Sequence, residues 1–538
     1  MTHGSRPTTN DQRLLAFTLC LLLGWVTWAR GGTQVGLQSP MVWIGGVILG
    51  LLFLNRLANV CKTGWIFSRW TATSGRGQTP PGGRRPPGEC GDCAEKPARS
   101  WLRDPVIWAG LAFLVLLTIQ WWNAGRYPFF HPFDKRWIFT PPPHPGWPWA
   151  VDRNDAAEML RWFFPAWVLM LAFRHTRQPA ILAKSVAWFL VVNAGILAAF
   201  GIVQQLSGTH NIFWITPLPE HFFASFGYDN HAASFFALFF AFSSGLLLQE
   251  LSLNLTRNSR NQDEEFEQKS RRAQREVFLP ASGGTSRIPS RSSRLLFKFF
   301  SSPNTKLNGS TEAHDRRSLA IITAATCAVL CLVAMVLSLS RTGILLAVGL
   351  GGMALLVAVR LFWGRISVAH RVTFVSASLM GAAVLFFTVS TLGGPALSRE
   401  AHKVTTNLDA REFLIGSAAK IWSAEPWFGV GGWGFRHYVS VFAAEEPGRK
   451  LSLGFANTHN DFMQFLCEFG VIGFGLMLVA LLAYAWPMLR QLRRPLSPGL
   501  VMAIAGLLAV LLHSQIDLPF RSPAILYSWL AVVGIVNR

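Results

Sequence analysis

The fold of this chain is decided in a stretch that reads Thr458-His459-Asn460-Asp461-Phe462-Met463-Gln464-Phe465-Leu466-Cys467-Glu468-Phe469-Gly470-Val471-Ile472-Gly473. It opens an apolar run that continues to about residue 485, long enough to cross a bilayer core of about 30 Å. A histidine and several polar or charged side chains stand at the start of that run. Such groups are costly in lipid unless they have partners or a function, so this segment is the first candidate for a functional site.

The composition of the whole chain is typical of a polytopic membrane protein. Of its 538 residues, 51% are hydrophobic and only 14% are charged, which is unlike a soluble globular average. Apolar runs of membrane-spanning or nearly membrane-spanning length recur along the sequence. We predict an all-α bundle of about twelve transmembrane helices, at residues 14–29, 40–55, 105–122, 158–173, 180–206, 231–250, 318–338, 343–362, 372–391, 461–485, 499–512 and 523–536.

The formal net charge of +21 is explained by membrane topology and does not indicate a nucleic-acid partner. With the N-terminus in the cytoplasm, most Lys and Arg side chains fall in cytoplasmic segments, which is the positive-inside pattern. Both termini are then predicted to be cytoplasmic. The basic loops lack the interleaved aromatic residues that a nucleic-acid-binding module uses for stacking. The lone pair in Cys90-Gly91-Asp92-Cys93 has no second pair nearby to complete a zinc site.

Composition also divides the N-terminal half into regions. Residues 1–190 hold N-terminal membrane helices and two contrasting loops. The cytoplasmic loop at 71–100 is rich in Pro, Gly and Arg, and we predict that it is disordered. The outer loop at 123–155 is rich in Trp and Pro, as is typical of a belt at the membrane interface. Residues 191–250 are further membrane helices.

The C-terminal half alternates polar and apolar regions. A cytoplasmic insertion at 251–317 has few residues to bury, and we predict that it is disordered. Membrane helices follow at 318–391. Residues 392–458 form an outer lobe in which apolar residues recur at helical spacing. Residues 459–538 are C-terminal membrane helices that begin with the histidine segment.

The polar residues of the opening stretch share one face of the predicted helix. At about 100° per residue, Asp461, Gln464 and Glu468 form a stripe, flanked by Asn460, that must face the interior of the bundle. His459 precedes the stripe at the water boundary, where an imidazole suits proton transfer at neutral pH. A capping or interface role for this histidine is the simpler alternative.

Two further polar groups stand where an outer loop meets a predicted span. Arg341 lies between two apolar runs with almost no loop, either as an interface arginine or as a fixed guanidinium that grips a phosphate. Asn230 and His231 lie at the start of another span, either at a helix cap or in a polar pocket.

Two motifs have a spacing that points to one family. His459-Asn460 is followed, after nine residues, by Gly470-Val471-Ile472-Gly473, and the outer lobe contains Arg411-Glu412-Phe413-Leu414-Ile415. These resemble the histidine motif and the outer-loop arginine motif of the O-antigen ligase family of bacterial inner-membrane glycan transferases, with Ile415 in place of a leucine. Weaker features that also look like this family are Gly201-Ile202-Val203-Gln204-Gln205, Asn230-His231-Ala232, Ser340-Arg341-Thr342, Pro426-Trp427-Phe428-Gly429-Val430-Gly431 and His513-Ser514-Gln515-Ile516-Asp517-Leu518-Pro519.

The resemblance implies a GT-C-like membrane enzyme. Such an enzyme moves a glycan from undecaprenyl diphosphate to an acceptor hydroxyl, of the lipid A-core type, on the periplasmic face of the inner membrane. The implied partners are this donor, a lipid or glycan acceptor and membrane lipids, without nucleic acid, and no cofactor or metal is implied. An O-antigen or exopolysaccharide polymerase and a protein O-oligosaccharyltransferase are alternatives within the family. A membrane transporter or a non-catalytic assembly protein is the alternative from another class.

The resemblance also implies residue roles. Arg341 and Arg411 would grip the diphosphate, and His459 would deprotonate the acceptor hydroxyl or help to hold the donor. Inversion at the anomeric carbon is expected. The residues expected to contact substrate are Asn460, Asp461, Gln464, Asn230, His231 and Arg436.

Overall fold

A computed structural model describes residues 9–54, 101–176, 178–217, 222–277, 304–364, 371–372, 376, 404–443 and 457–538. The helices in these ranges are α1 (Thr9–Trp28), α2 (39–54), α3 (Pro105–Trp122), α4 (Arg153–His175), α5 (Pro179–Leu206), α6 (Asp229–Val277), α7 (Asn304–Leu337), α8 (Arg341–Phe362), α9 (Val404–Ala424), α10 (Gly434–Ala443), α11 (Asp461–Gln491), α12 (Pro498–His513) and α13 (Pro523–Val536). Two short antiparallel pairs join β1 (Pro128–His131) to β2 (Arg136–Phe139) and β3 (Asn211–Ile212) to β4 (Thr216–Pro217). The predicted all-α class is confirmed.

The helices match the predicted membrane spans closely. Within the described ranges, eight helical segments are long and apolar enough to cross a membrane, namely Val35–Leu54, which contains α2, and segments of α3 to α8 and α11. The apolar helices in α1, α12 and α13 are shorter. These eleven coincide with eleven of the twelve predicted spans. The remaining prediction, 372–391, lies almost wholly outside the described residues. The chain is a multi-pass membrane protein.

Several of these helices are capped by a polar side chain of the residue directly before their first turn. Each such side chain accepts a hydrogen bond from a backbone N–H of the first turn, a group that would otherwise have no partner inside the helix. The caps are Asp104 for α3, Asp152 for α4, Ser340 for α8, Asn460 for α11 and Ser497 for α12.

The short C-terminal helix α13 lies at the centre of the bundle. Eleven of its fourteen residues are buried, and it packs against α1, α4, α5, α6, α11 and α12. Its uniformly apolar composition fits this position, because neighbouring helices cover it on nearly all sides.

We predicted that the insertion at 251–317 is disordered, but the parts of it that the structure describes are helical. Helix α6 continues past the span to Val277, and α7 already begins at Asn304. Residues added to an existing helix avoid the cost of nucleation, and Arg271 and Glu267 form an ion pair one turn apart at 2.6 Å. Residues 278–303 and the predicted disordered loop at 71–100 lie outside the described residues.

A kink in α11 joins this helix to the outer lobe. Gly470 has φ of 63°. The backbone N–H groups of Val471 and Ile472 donate to the carbonyls of Pro426 and Trp427 at 2.9 and 3.1 Å. On the other side of the kink, the carbonyls of Cys467 and Glu468 accept hydrogen bonds from Val430 and Gly431 at 3.1 and 2.8 Å. The loop at 426–431 is therefore fixed to the helix that follows His459.

The outer lobe has a small core of its own. Helix α9 contributes Leu414, Ala418 and Ile421, and α10 contributes Phe435 and Val439, which pack with Val430 and Cys467. This core holds the helix that carries Arg411 against the N-terminal part of α11.

Candidate functional site

His459 lies immediately before α11 and is paired with a buried carboxylate. Its φ is 51°, in the left-handed region. The next residue, Asn460, caps the helix by accepting from the N–H of Met463 at 3.0 Å, and its Nδ2 donates to the carbonyl of Gln515 at 2.9 Å. The Nδ1 atom of His459 lies 3.3 Å from Oδ1 of Asp517. The imidazole is 31% exposed, whereas the carboxylate is 2% exposed.

Asp517 is the centre of the site. Its Oδ1 also accepts from the backbone N–H of Leu518 at 2.9 Å, and its Oδ2 accepts from the Tyr228 hydroxyl at 2.9 Å and from the Asn230 amide. Burial would raise the pKa of this carboxyl, but the hydrogen bond from His459 and the charge of the neighbouring histidines hold that pKa below its ordinary value. Asp517 is therefore a carboxylate at neutral pH.

Tyr228 keeps its proton under the same conditions. Burial and the charge of Asp517 raise the pKa of the phenol well above its ordinary value. Its hydroxyl therefore stays a hydrogen-bond donor to the carboxylate.

Asn230 connects this carboxylate to the start of α8. The Ser340 hydroxyl donates to Oδ1 of Asn230 and accepts from the N–H of Gly343 at 3.2 Å, which caps α8. Arg341 is the first residue of α8 and is half-buried. Two hydrogen bonds thus link the residue before Arg341 to Asp517.

Arg411 reaches the same loop from the outer lobe. Its Nη1 donates to the carbonyl of Ile516 at 2.9 Å, next to Asp517. His459 and Arg411 therefore contact residues 515–518 directly. Ser340, the residue before Arg341, reaches Asp517 through Asn230.

Two further histidines surround Asp517. His231 places Nε2 at 3.0 Å from the carbonyl of Leu518 and so donates to it. His513 is buried, with Nδ1 at 2.5 Å from the Ser234 hydroxyl. Within the described part of the chain, no group of three or more His, Cys, Asp or Glu side chains is arranged to hold a metal ion.

The polar stripe of α11 lies in the protein interior and is bound mainly to protein groups. Oδ2 of Asp461 accepts from the N–H of Phe520 at 2.9 Å. Gln464 accepts from the N–H of Thr458 at 2.8 Å and donates to Glu468 at 2.7 Å. All three stripe residues are at most 1% exposed. They fix the start of α11 relative to the segment after Asp517.

Arg436 lies in a different cluster. Its guanidinium pairs with Asp155 of α4, which also accepts from Nε2 of His437 at 2.9 Å. The same guanidinium lies over the ring of Trp433 at 5.2 Å. These contacts join α10 to the membrane helices.

Glu468 and Arg521 form a buried ion pair, with side chains 0% and 3% exposed. The Arg521 guanidinium also lies over the rings of Trp433 and Phe465, at 4.5 and 5.0 Å. We expect Glu468→Ala to lower the free energy of unfolding by about 3–5 kcal/mol, because it leaves a buried cation without its carboxylate. Denaturant titration of the purified protein in detergent measures this loss.

The matched variant removes both charges of that pair. Glu468→Met with Arg521→Leu is expected to cost less than Glu468→Ala alone, since no unpaired charge remains. Wild-type stability of Glu468→Ala would show that the ion pair contributes nothing to the fold.

Sequence reasoning did not assign a role to Asp517, Tyr228 or Ser340. Asp517 stood within one of the weaker family features, and its position between two apolar runs was the available signal. The hydrogen bonds that give it a role come from residues far away along the chain.

The site belongs to a polytopic membrane protein in which a histidine–carboxylate pair lies beside two arginine-bearing elements. Residues 326–478 match the family model described as O-Antigen ligase. Among the described helices, this range covers the last part of α7, all of α8, α9 and α10, and the first part of α11. This match supports the assignment of the chain to the O-antigen ligase family and confirms the resemblance predicted from the motifs. No curated protein matches the chain. The family indicates a membrane glycosyltransferase with lipid-linked glycan and acceptor partners.

Proposed function

We propose that this protein transfers a glycan from undecaprenyl diphosphate to an acceptor hydroxyl of the lipid A-core type. The reaction takes place on the periplasmic face of the bacterial inner membrane. The observation that carries the proposal is the pairing of His459 with buried Asp517, on a loop that Arg411 also contacts. This arrangement offers a base and cations in one place, which is what displacement of a diphosphate by a hydroxyl requires.

The pair defines which nitrogen of His459 acts as the base. A carboxylate only accepts hydrogen bonds, so Nδ1 of His459 carries the proton that faces Asp517. Nε2 is then the nitrogen that takes the proton of the acceptor hydroxyl. The charged Asp517 stabilises the imidazolium that forms.

The bond changes balance without any further reactant. The acceptor oxygen forms a bond to the anomeric carbon as the bond from that carbon to the diphosphate oxygen breaks, and the configuration inverts. The proton of the hydroxyl moves to His459, and the electron pair leaves with the diphosphate.

The arginines stabilise the charge that develops on the leaving diphosphate. Arg411 uses one N–H on the Ile516 carbonyl, and a guanidinium has five N–H donors in total. Arg341 is the first residue of α8, where the helix dipole adds partial positive charge. Both positions suit a phosphate.

An apolar groove beside the site suits the lipid tail of the donor. It has a volume of about 150 Å³ and is lined by Asp461 and by apolar side chains such as Phe113, Phe163 and Leu481. Asp461 is the second residue after His459, and Leu481 lies in the second half of α11, so the lining of the groove follows this helix for much of its length. A volume of this size accommodates a short segment of the polyprenyl chain rather than the whole of it.

The proposal is tested by transfer from a lipid-linked glycan donor to lipid A-core acceptor in proteoliposomes. We expect His459→Ala to reduce turnover by about 10²–10⁴-fold, the range of general-base catalysis. Arg411→Ala and Arg341→Ala are each expected to reduce it by about 10²–10³-fold through loss of charge stabilisation.

Arg493→Ala, an exposed arginine after α11, is the matched control and should behave as wild type. Both glycan product and released carrier are scored. Wild-type turnover in all three site variants would refute the mechanism.

A further inference from the structure

The hairpin of β1 and β2 carries aromatic side chains that the rest of the protein leaves exposed. Phe129 is 43% exposed, Phe130 is 48% exposed and Phe133, at the tip, is 91% exposed. Pro128 pairs across the strands with Phe139 and Phe130 with Trp137, so this face of the hairpin is apolar along its length, while Phe129 and Ile138 lie on the other face. A concentration of exposed apolar side chains on so small an element marks a contact surface.

The base of the hairpin is fixed to the ends of two membrane spans. Buried Asn123, directly after α3, donates to the carbonyls of His144, Trp147 and Pro148, and the N–H of Gly125 donates to the carbonyl of Ala150 at 3.0 Å. At about 3.4 Å per residue, the five steps from Pro128 to Phe133 span no more than about 17 Å. The tip therefore stays near the membrane boundary that α3 and α4 define.

Side chains at this base are those of a membrane interface. Trp122 is 50% exposed and stacks on His144 with ring centroids 4.1 Å apart. The guanidinium of Arg153, the first residue of α4, lies over Trp121 at 4.6 Å. Tryptophan and arginine at both span ends place the headgroup region at this level.

The tip adds positive charge to its aromatic surface. Lys135 and Arg136 follow Phe133, and both are exposed. Asp134 is the one acid of the tip and lies between His131 and Arg136, at 3.2 and 3.5 Å. Cations beside apolar rings suit anionic lipid headgroups above acyl chains.

We propose that this hairpin is a membrane anchor that seats Phe129 and Phe133 in the outer leaflet of the bilayer that α3 and α4 cross. The partner is lipid, with Lys135 and Arg136 at the headgroups. The anchor also holds the outer lobe, because Phe139 of β2 stacks on Tyr438 of α10 with ring centroids 5.4 Å apart. It does not depend on the glycosyltransferase activity.

Photocrosslinking in nanodiscs of phosphatidylethanolamine and phosphatidylglycerol tests the anchor. A benzophenone amino acid replaces Phe133, whose exposure makes the change compatible with folding, and gel filtration checks that the protein is monodisperse. The same amino acid at Leu345, 71% exposed on the membrane span α8, is the positive reference. At Glu267, on the polar extension of α6, it is the negative reference.

We expect mass spectrometry to find phospholipid adducts at position 133 in a yield close to that at 345. That yield should be about tenfold above the yield at 267, since only a residue within the bilayer meets acyl chains. A yield at 133 no higher than at 267 would overturn the proposal. Adducts of 133 with a second copy of the chain or with added glycan acceptor, in place of lipid, would also overturn it.

Discussion

Replacing Gly470 with alanine is expected to abolish recovery of folded protein. With φ of 63° and ψ of −175°, Gly470 occupies a backbone region that is essentially restricted to glycine. A Cβ at this position would lie 2.3 Å from the backbone carbon of Trp427 and 2.4 Å from its oxygen. These atoms belong to backbone that is hydrogen-bonded to α11, so they cannot move aside without loss of those bonds.

The strain alone costs about 1–3 kcal/mol, and the displaced loop adds the loss of buried backbone hydrogen bonds. The measurement is the yield of monodisperse protein in detergent and its thermal unfolding midpoint. Gly475→Ala is the matched control in the same helix, because a Cβ there meets nothing within 4 Å. Equal yields and equal midpoints for the two variants would contradict the account of the kink.

Asp517→Asn is expected to reduce turnover by about 10³–10⁴-fold while the protein stays folded, as for the loss of a carboxylate that orients a catalytic histidine. The carboxylate accepts from His459, Leu518, Tyr228 and Asn230 at once. An amide keeps only one acceptor oxygen and sets an NH₂ group against donors. It also removes the negative charge that stabilises a protonated His459.

Turnover and the KM for donor are measured separately for this variant. The loss is expected in kcat, because Asp517 acts on the proton transfer. Asp315→Asn, an exposed aspartate on α7, is the control and should match wild type. A raised KM with unchanged kcat would mean that Asp517 serves donor binding instead.

Much of the architecture was predictable because a membrane span is recognised from a run of consecutive residues. Length and apolarity alone located eleven helices that the structure contains. Disorder in the 251–317 insertion was predicted from composition, and the described part is helical because it continues helices that start in the membrane. Composition does not report whether a segment is joined to an existing helix.

The site was predictable only in part because its contacts are distant in sequence. His459 and Asp517 are 58 residues apart, and Asn230 and Asp517 are 287 apart. Residue chemistry pointed to His459 and Arg341, and the family resemblance added Arg411, but neither pointed to Asp517. Arg436 was predicted to contact substrate, and in the structure it pairs with Asp155. Residue type alone does not show which arginines of the outer lobe lie at the site and which lie elsewhere.

The most direct test of the proposed His459–Asp517 unit is a double-mutant cycle on kcat in the proteoliposome assay. His459→Ala and Asp517→Ala are measured singly and together, with Arg493→Ala as the folded reference. If the two residues act as one base, the double variant will be no slower than the slower single variant. Multiplicative losses would show that they act independently and would contradict the account.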